Sequence, residues 1–159
     1  MVDGYALRHA NAEDVDAIIR WFPTHESAII WGGHVPDPPT AEWLAGEFLD
    51  VHRRYYVLAD KSGSICGTYF LYHMPDECRT HLGRFAIAPN LRRRGLATLM
   101  IKHAVDAAQS QSARTLTLKV LDRNLIERSV YDRAGFIATG ETTFDERLGG
   151  NILSMMLRL

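Results

Sequence analysis

Phe85-Ala86-Ile87-Ala88-Pro89-Asn90-Leu91-Arg92-Arg93-Arg94-Gly95-Leu96-Ala97-Thr98 reads as a strand that turns through a short loop into a helix. Pro89 ends the strand because it has no N–H to pair. Leu96, Leu99, Met100, His103, Ala104 and Ala107 then recur at helical spacing up to Ser110. The first turn of a helix leaves four N–H groups without partners and carries partial positive charge, so such a start is a ready anion site. Arg92, Arg93 and Arg94 add charge-assisted donors, while Gly95 and Ala97 leave room for close backbone approach. A glycine just inside a helix costs ~1 kcal/mol relative to alanine, which favours a close-approach role for Gly95 over that of a plain loop residue. A diphosphate fits this description, and a merely solvated arginine face is the competing reading.

The flanking segments extend the same alternation of strands and helices. Downstream, residues 115–121 read as a strand with alternating Leu116, Leu118 and Val120, and residues 124–134 as a short helix stopped by Gly135. Residues 136–144 and 151–159 form a closing hairpin through residues 145–150. Upstream, residues 5–8 alternate like a strand, and Asn11 caps a helix that ends before Pro23. Thr40 caps a second helix carrying Trp43, Leu44, Glu47, Phe48 and Val51. Strands over 55–60 and 65–73 follow, joined by a turn at 61–64, and a third runs over 79–88. Residues 31–40 hold three prolines and two glycines, which reads as an ordered loop or a lid. The result is a mixed α/β sheet.

A chain of 159 residues with 47% hydrophobic and 23% charged content reads as a soluble protein able to bury its own core. No linker or repeat divides it, so one domain over 1–159 is expected. No run reaches the ~18 to 20 apolar residues that span a bilayer. A formal net charge of −1 gives no bulk attraction to nucleic acid or acidic lipid, so neither is an expected partner. Cys66 and Cys78 lie in segments read as strands and are expected to be free thiols. The Met1-Val2-Asp3 start has no signal pattern, and the expected location is the cytoplasm.

Two phosphate-binding motifs are absent: G-x-x-x-x-G-K-[ST], and G-x-G-x-x-G after a strand. What stands instead is Arg92-x-x-Gly95-x-Ala97, followed by Asn124, by Tyr131 seven residues later, and by Gly135-Phe136. In that order these resemble the R/Q-x-x-G-x-G/A and N-x-x-A-x-x-x-Y-x-x-x-G-F motifs of the GNAT acyltransferase superfamily. Glu127 stands where members often have alanine. The resemblance implies a GNAT acyl-CoA N-acyltransferase fold, with a mixed, mostly antiparallel central sheet of six or seven strands flanked by about four helices. It implies an N-acetyltransferase using acetyl-CoA as acyl donor, without a metal, in which the amine attacks the thioester directly in a ternary complex. By the same resemblance Phe85, Ala86 and Ile87 offer backbone groups to the pantetheine arm. Arg92, Arg93, Arg94, Gly95, Leu96, Ala97 and Thr98 cradle the diphosphate, and Asn124 bonds the arm. Tyr131 stands by the sulfur as general acid for the departing thiolate. A core aromatic is the plain alternative for Tyr131.

The acceptor half is less legible. Relatives that acylate protein N-termini use a glutamate five residues before the helix asparagine, and here that position is Lys119. Others place Glu or His six residues before the hydrophobic residue preceding A-P, which gives His81 as the candidate general base, with Glu77 and His73 as weaker ones. Strand alternation puts His81 on one face with Gly83 and Phe85. A surface or hydrogen-bonded strand histidine is the alternative reading. His73, Cys78 and His81 include a Cys-x-x-His spacing, but no second Cys/His pair completes a zinc set. Trp21, Phe22, Trp31 and Trp43 could line an acceptor pocket, with Glu26, Asp37 or Glu42 attracting a cation. The acceptor is an amine on a small molecule or a protein, and a homodimer is compatible with the family. A CoA-binding sensor without turnover is the alternative function.

Overall fold

The computed structural model describes residues 4–159. The Met1-Val2-Asp3 start, and with it the expected lack of a targeting pattern, lies outside the described residues. Seven strands form one sheet: β1 (Tyr5–His9), β2 (Arg53–Asp60), β3 (Ile65–Met74), β4 (Arg79–Ile87), β5 (Thr115–Leu121), β6 (Ile137–Asp145) and β7 (Gly150–Arg158). Their order is β1-β2-β3-β4-β5-β7-β6, and every neighbouring pair is antiparallel except β4 with β5. Among the described residues there are five α-helices: α1 (Val15–Ile19), α2 (His25–Gly32), α3 (Ala41–Glu47), α4 (Leu96–Ser110) and α5 (Leu125–Arg133). No helix among the described residues is long and apolar enough to cross a membrane.

The helices cover the sheet from both sides. On one face Leu96, Met100, Ile101, Ala104 and Ala108 of α4 and Tyr131 of α5 pack on Leu58, Tyr69, Leu71, Leu82, Leu116 and Leu118. On the other, Val15 and Ile18 of α1, Ala28 and Trp31 of α2, and Leu44 of α3 pack on Tyr55, Val57 and Phe70. Asn11 and Thr40 cap their helices as expected: Asn11 Oδ1 accepts from Glu13 N at 2.9 Å and Thr40 Oγ1 from Trp43 N at 3.1 Å. The sequence reading missed α2, so Trp31 and Gly32 belong to a helix and the irregular segment begins at Gly33. A signal was present, because Thr24 and Ser27 form a reciprocal capping box at 3.1 and 3.2 Å. Cys78 lies between β3 and β4, at φ 49, and not within a strand. Both cysteines are free.

One irregularity organises the sheet. Thr68 of β3 stands opposite Ala86 of β4, but Phe70 stands opposite Gly83, so β4 carries one extra residue between them. Arg84, at φ 48, sits in the left-handed region there. The bulge reverses the alternation of side chains along β4. Leu82 before it and Phe85 and Ile87 after it face α4, whereas Ala86 faces α1 to α3. Gly83 is on that second face too, because a Cβ there would meet the Phe70 ring at 2.1 Å. His81 lies 6.4 Å from the same ring, so it shares a face with Gly83 but not with Phe85. The expected common face of His81 and Phe85 is thereby corrected.

The bulge is held from the α2–α3 side. Trp31 Nε1 donates to the Arg84 carbonyl at 2.8 Å, and Arg84 Nε donates to the Gly32 carbonyl at 3.2 Å. The Arg84 guanidinium, only 8% exposed, pairs with Glu47 Oε2 at 2.5 Å and lies 5.0 Å from the Trp43 ring. Glu47 also accepts from Arg53 at 2.9 Å. Burial pushes the neighbouring Tyr55 hydroxyl up to about 12, so it stays a neutral partner of Arg84. Removing the carboxylate leaves a buried cation without its counter-charge, a loss of about 3 kcal/mol or more. Glu47→Ala is therefore expected to lower the unfolding free energy in urea by roughly that amount, with Glu47→Gln costing less. A loss under about 1 kcal/mol would mean that Arg84 regains water when Glu47 is removed.

Candidate active site

β4 and β5 pair only through Arg79 with Thr115, Thr80 with Leu116 and His81 with Thr117. Beyond that rung β5 continues against β7 alone, and β4 runs on through the bulge with a free edge toward β5. A parallel pair that parts in this way leaves unpaired backbone groups inside the fold. Ala88 N donates to Cys66 O of β3 at 2.8 Å. Because successive strand N–H groups point to opposite sides, those of Ile87 and Phe85 point away from β3 into the gap. The side chain of Ala86 packs with the α1–α3 core and contributes no polar group.

The start of α4 follows this edge after residues 88–95, which include a short helical turn at Pro89–Leu91. Leu99 N to Gly95 O, at 3.4 Å, closes the first helical turn, so the N–H groups of Gly95, Leu96, Ala97 and Thr98 have no intrahelical acceptor. Gly95 is the N-cap at φ 79 and not the first residue inside the helix, so its backbone conformation alone favours glycine. Nothing lies within 4 Å of where its Cβ would be, which leaves the surface above it open. Arg92, Arg93 and Arg94 are exposed, and none of them is in an ion pair among the described residues. The Leu96 side chain is 4% exposed in the core, so only its backbone faces outward. Ala97 is half-buried and Thr98 exposed.

Asn124 and Tyr131 come together on α5 through a residue that the sequence reading noted only as a departure. Tyr131 is 2% exposed, with its ring 6.1 Å from Phe85 of β4 and 5.7 Å from Phe136. It is thus a core aromatic whose hydroxyl is still engaged, since it donates to Glu127 Oε1 at 2.8 Å. Asn124 Nδ2 donates to Glu127 Oε2 at 2.7 Å, while Asn124 Oδ1 caps the helix by accepting from Glu127 N at 3.3 Å. Burial raises the Glu127 carboxyl above its ordinary range, against the Tyr131 hydrogen bond and the positive charge of Arg92. Burial, followed by the Glu127 charge, holds the Tyr131 hydroxyl well above the usual tyrosine value. The signal for Glu127 was its position three after an N-cap and four before a tyrosine, spacings at which helix side chains meet.

His81 occupies the last rung before the gap, on the face opposite Phe85 and Tyr131. Its Nδ1 lies 3.1 Å from Thr117 Oγ1. Burial, then the positive charges of Lys119, Arg79 and Arg53, push the imidazole down to about 4. His73 is bonded instead to Thr80 at 2.9 Å on the α4 side of the sheet, so His73 and His81 do not converge on one point. Glu77 is paired with Arg79 at 2.5 Å. Phe22 and Trp31 are buried and stacked at 4.3 Å, and Trp43 meets Trp31 edge-on at 6.5 Å. With Trp21 packed against the same cluster, these aromatics form core and not an open pocket wall. Glu26 lies 4.0 Å from Arg123 and Asp37 3.4 Å from His25. The β6–β7 end meets α2 through Arg147, which donates to Gly33 O at 3.2 Å.

The fold recurs in known proteins. The streptothricin acetyltransferase of Streptomyces lavendulae is 26% identical over 138 residues, which cover 87% of this chain and 66% of that protein. Spermidine N-acetyltransferase from Vibrio cholerae, solved with CoA and spermine, superposes with a TM-score of 0.81 at 18% identity, covering 98% of this chain and 95% of that one. A GCN5-related N-acetyltransferase from Kribbella flavida covers both chains fully, with a TM-score of 0.78 at 19% identity. These structural likenesses show the fold. The family model described as the acetyltransferase (GNAT) family matches residues 15–136, which takes in α1 through α5, and the chain therefore belongs to the GNAT acetyltransferase family.

Proposed function

We propose that this protein transfers an acetyl group from acetyl-CoA to a primary amine, the amine attacking the thioester directly. The observation that carries the reading is the continuity of the free β4 edge with the start of α4. Inward-pointing N–H groups of Phe85 and Ile87 lead to four unpartnered helix N–H groups beneath three unpaired arginines. An amide-bearing arm ending in a diphosphate matches that order of donors. Bound acetyl-CoA supplies an activated acyl thioester. In this reading the Ile87 N–H stabilises charge developing on its carbonyl oxygen, and Tyr131, whose ring lies beside Phe85, donates toward the departing sulfur.

Streptothricin and spermidine, named for two relatives, are small amines, and a small-molecule amine is the reading adopted here. A cytoplasmic enzyme is in keeping with its two free thiols. His81 is the proposed base, and its surroundings define that role narrowly. An imidazole held near 4 is neutral at physiological pH and far too weak a base to deprotonate an ammonium of pKa ~10, so its part is confined to accepting a hydrogen bond from a water or an already neutral amine. A second reading, a CoA-binding sensor, draws on Lys119 at the position of the acid used by relatives that modify N-termini.

Calorimetry with acetyl-CoA is expected to show saturable binding, and its absence at high micromolar protein would overturn the assignment. A panel of polyamines, amino acids, aminoglycosides and N-terminal peptides is expected to yield CoA release with at least one member. Only slow thiol release across the whole panel would favour the sensor. Tyr131→Phe should lower kcat by ~10²- to 10⁴-fold with acetyl-CoA affinity nearly unchanged. Undiminished turnover would remove Tyr131 from the chemistry. For His81, the folded state binds fewer protons than the unfolded chain between pH ~6.5 and about 4. Unfolding free energy should therefore fall as pH drops through that window, and His81→Gln should flatten the slope. The same slope in both proteins would show that His81 titrates normally.

A further inference from the structure

Glu127 has no counterpart in the alanine that members of the family often carry at this position, yet it touches both α5 residues that bear on the reaction. Its two oxygens take the Tyr131 hydroxyl at 2.8 Å and the Asn124 amide at 2.7 Å. A tyrosine hydroxyl has one proton. While Glu127 is a carboxylate, that proton is committed to it and Tyr131 presents only lone pairs toward the gap. Once Glu127 is protonated, it donates to the Tyr131 oxygen, and the tyrosine proton is released to point elsewhere.

We propose that Glu127 is a positioning residue that decides where the Tyr131 proton points, and that an anionic donor bound at Arg92 sets it by loading Glu127 with a proton. Two charged or titratable groups act on the carboxyl, Tyr131 on its own helix and Arg92 from the turn before α4. Burial favours the acid form, while the tyrosine hydrogen bond and then Arg92 favour the carboxylate, to which the Asn124 amide also donates. A diphosphate paired with Arg92 offsets the positive charge that supports the carboxylate from outside α5, which shifts Glu127 toward the acid. The proton count closes. As the amine nitrogen bonds to the acyl carbon and the carbon–sulfur bond breaks, the sulfur leaves with the electron pair and takes the Tyr131 proton. The Tyr131 oxygen takes the proton of Glu127. The amine releases one proton to solvent, and solvent returns one to Glu127 when the next donor binds. The inference rests on the acetyltransferase reading and adds to it a coupling between donor binding and the acid.

The test is calorimetric titration of acetyl-CoA into the whole protein, repeated in buffers of different ionisation enthalpy across pH 5 to 9, so that protons taken up on binding are counted. The wild type is expected to take up protons, to a maximum of about one. Glu127→Gln, which keeps the shape and stays neutral, and Glu127→Ala, which restores the residue common in the family, should both bind without that uptake. In steady-state assays the wild-type kcat should fall at alkaline pH as Glu127 ionises, and that limb should be missing from Glu127→Gln while KM for acetyl-CoA changes little. Binding of acetyl-CoA with no net proton uptake by the wild type would overturn the proposal by itself, whatever the variants do. Equal uptake in wild type and Glu127→Gln would do the same. No binding at all would instead overturn the acetyltransferase reading, so the two failures are distinct.

Discussion

The site depends on one extra residue in β4 and on what keeps it there. Arg84 at φ 48 is held by the Trp31 indole on its carbonyl and by Glu47 on its guanidinium. A bulge bends its strand and changes which way the following side chains point. Here it turns Phe85 and Ile87 toward α4 and Tyr131, and leaves Gly83 and His81 toward α1 to α3. It also lies just past the point where β4 and β5 stop pairing. A gap lined by backbone donors is thus built into the sheet without leaving the strand unsupported, since α2 and α3 brace the bulge from behind.

This bracing explains the composition of the α1–α3 core. Trp31 and Trp43, which read from the sequence as the lining of an acceptor pocket, enclose the Arg84–Glu47 pair together with Tyr55 and Phe70. A buried arginine needs its counter-charge and its hydrogen bonds, and aromatic faces add cation–π contact while excluding water. On the proposed function, the acceptor is met by what remains outside that cluster. That leaves the rung of His81 and Thr117, with Lys119 close enough to lower the histidine's proton affinity. His81 and the Phe85–Tyr131 pair lie on opposite faces of one bulged strand, with the gap between β4 and β5 beside them.

Local sequence determined much of this protein. The N-caps at Asn11 and Thr40, the run of α4, the alternation of β5 and the closing hairpin all follow from spacing and capping, which act over a few residues. The start of α4 with its free N–H groups was legible for the same reason, as was the placing of Asn124 and Tyr131 at the cap and on the face of one helix. Three things were decided only by tertiary structure. The face of His81 depended on a bulge whose cause lies in α2 and α3, more than thirty residues earlier in the chain. The buried partner of Arg84 proved to be Glu47, an acid that spacing alone placed on an ordinary amphipathic helix. The weight of Glu127 appeared only once burial removed the water that would otherwise have separated it from Tyr131 and Asn124. Spacing along a chain reports local geometry, whereas strand register and the loss of water are properties of the whole packed sheet, and they set both the direction and the proton affinity of the groups in this site.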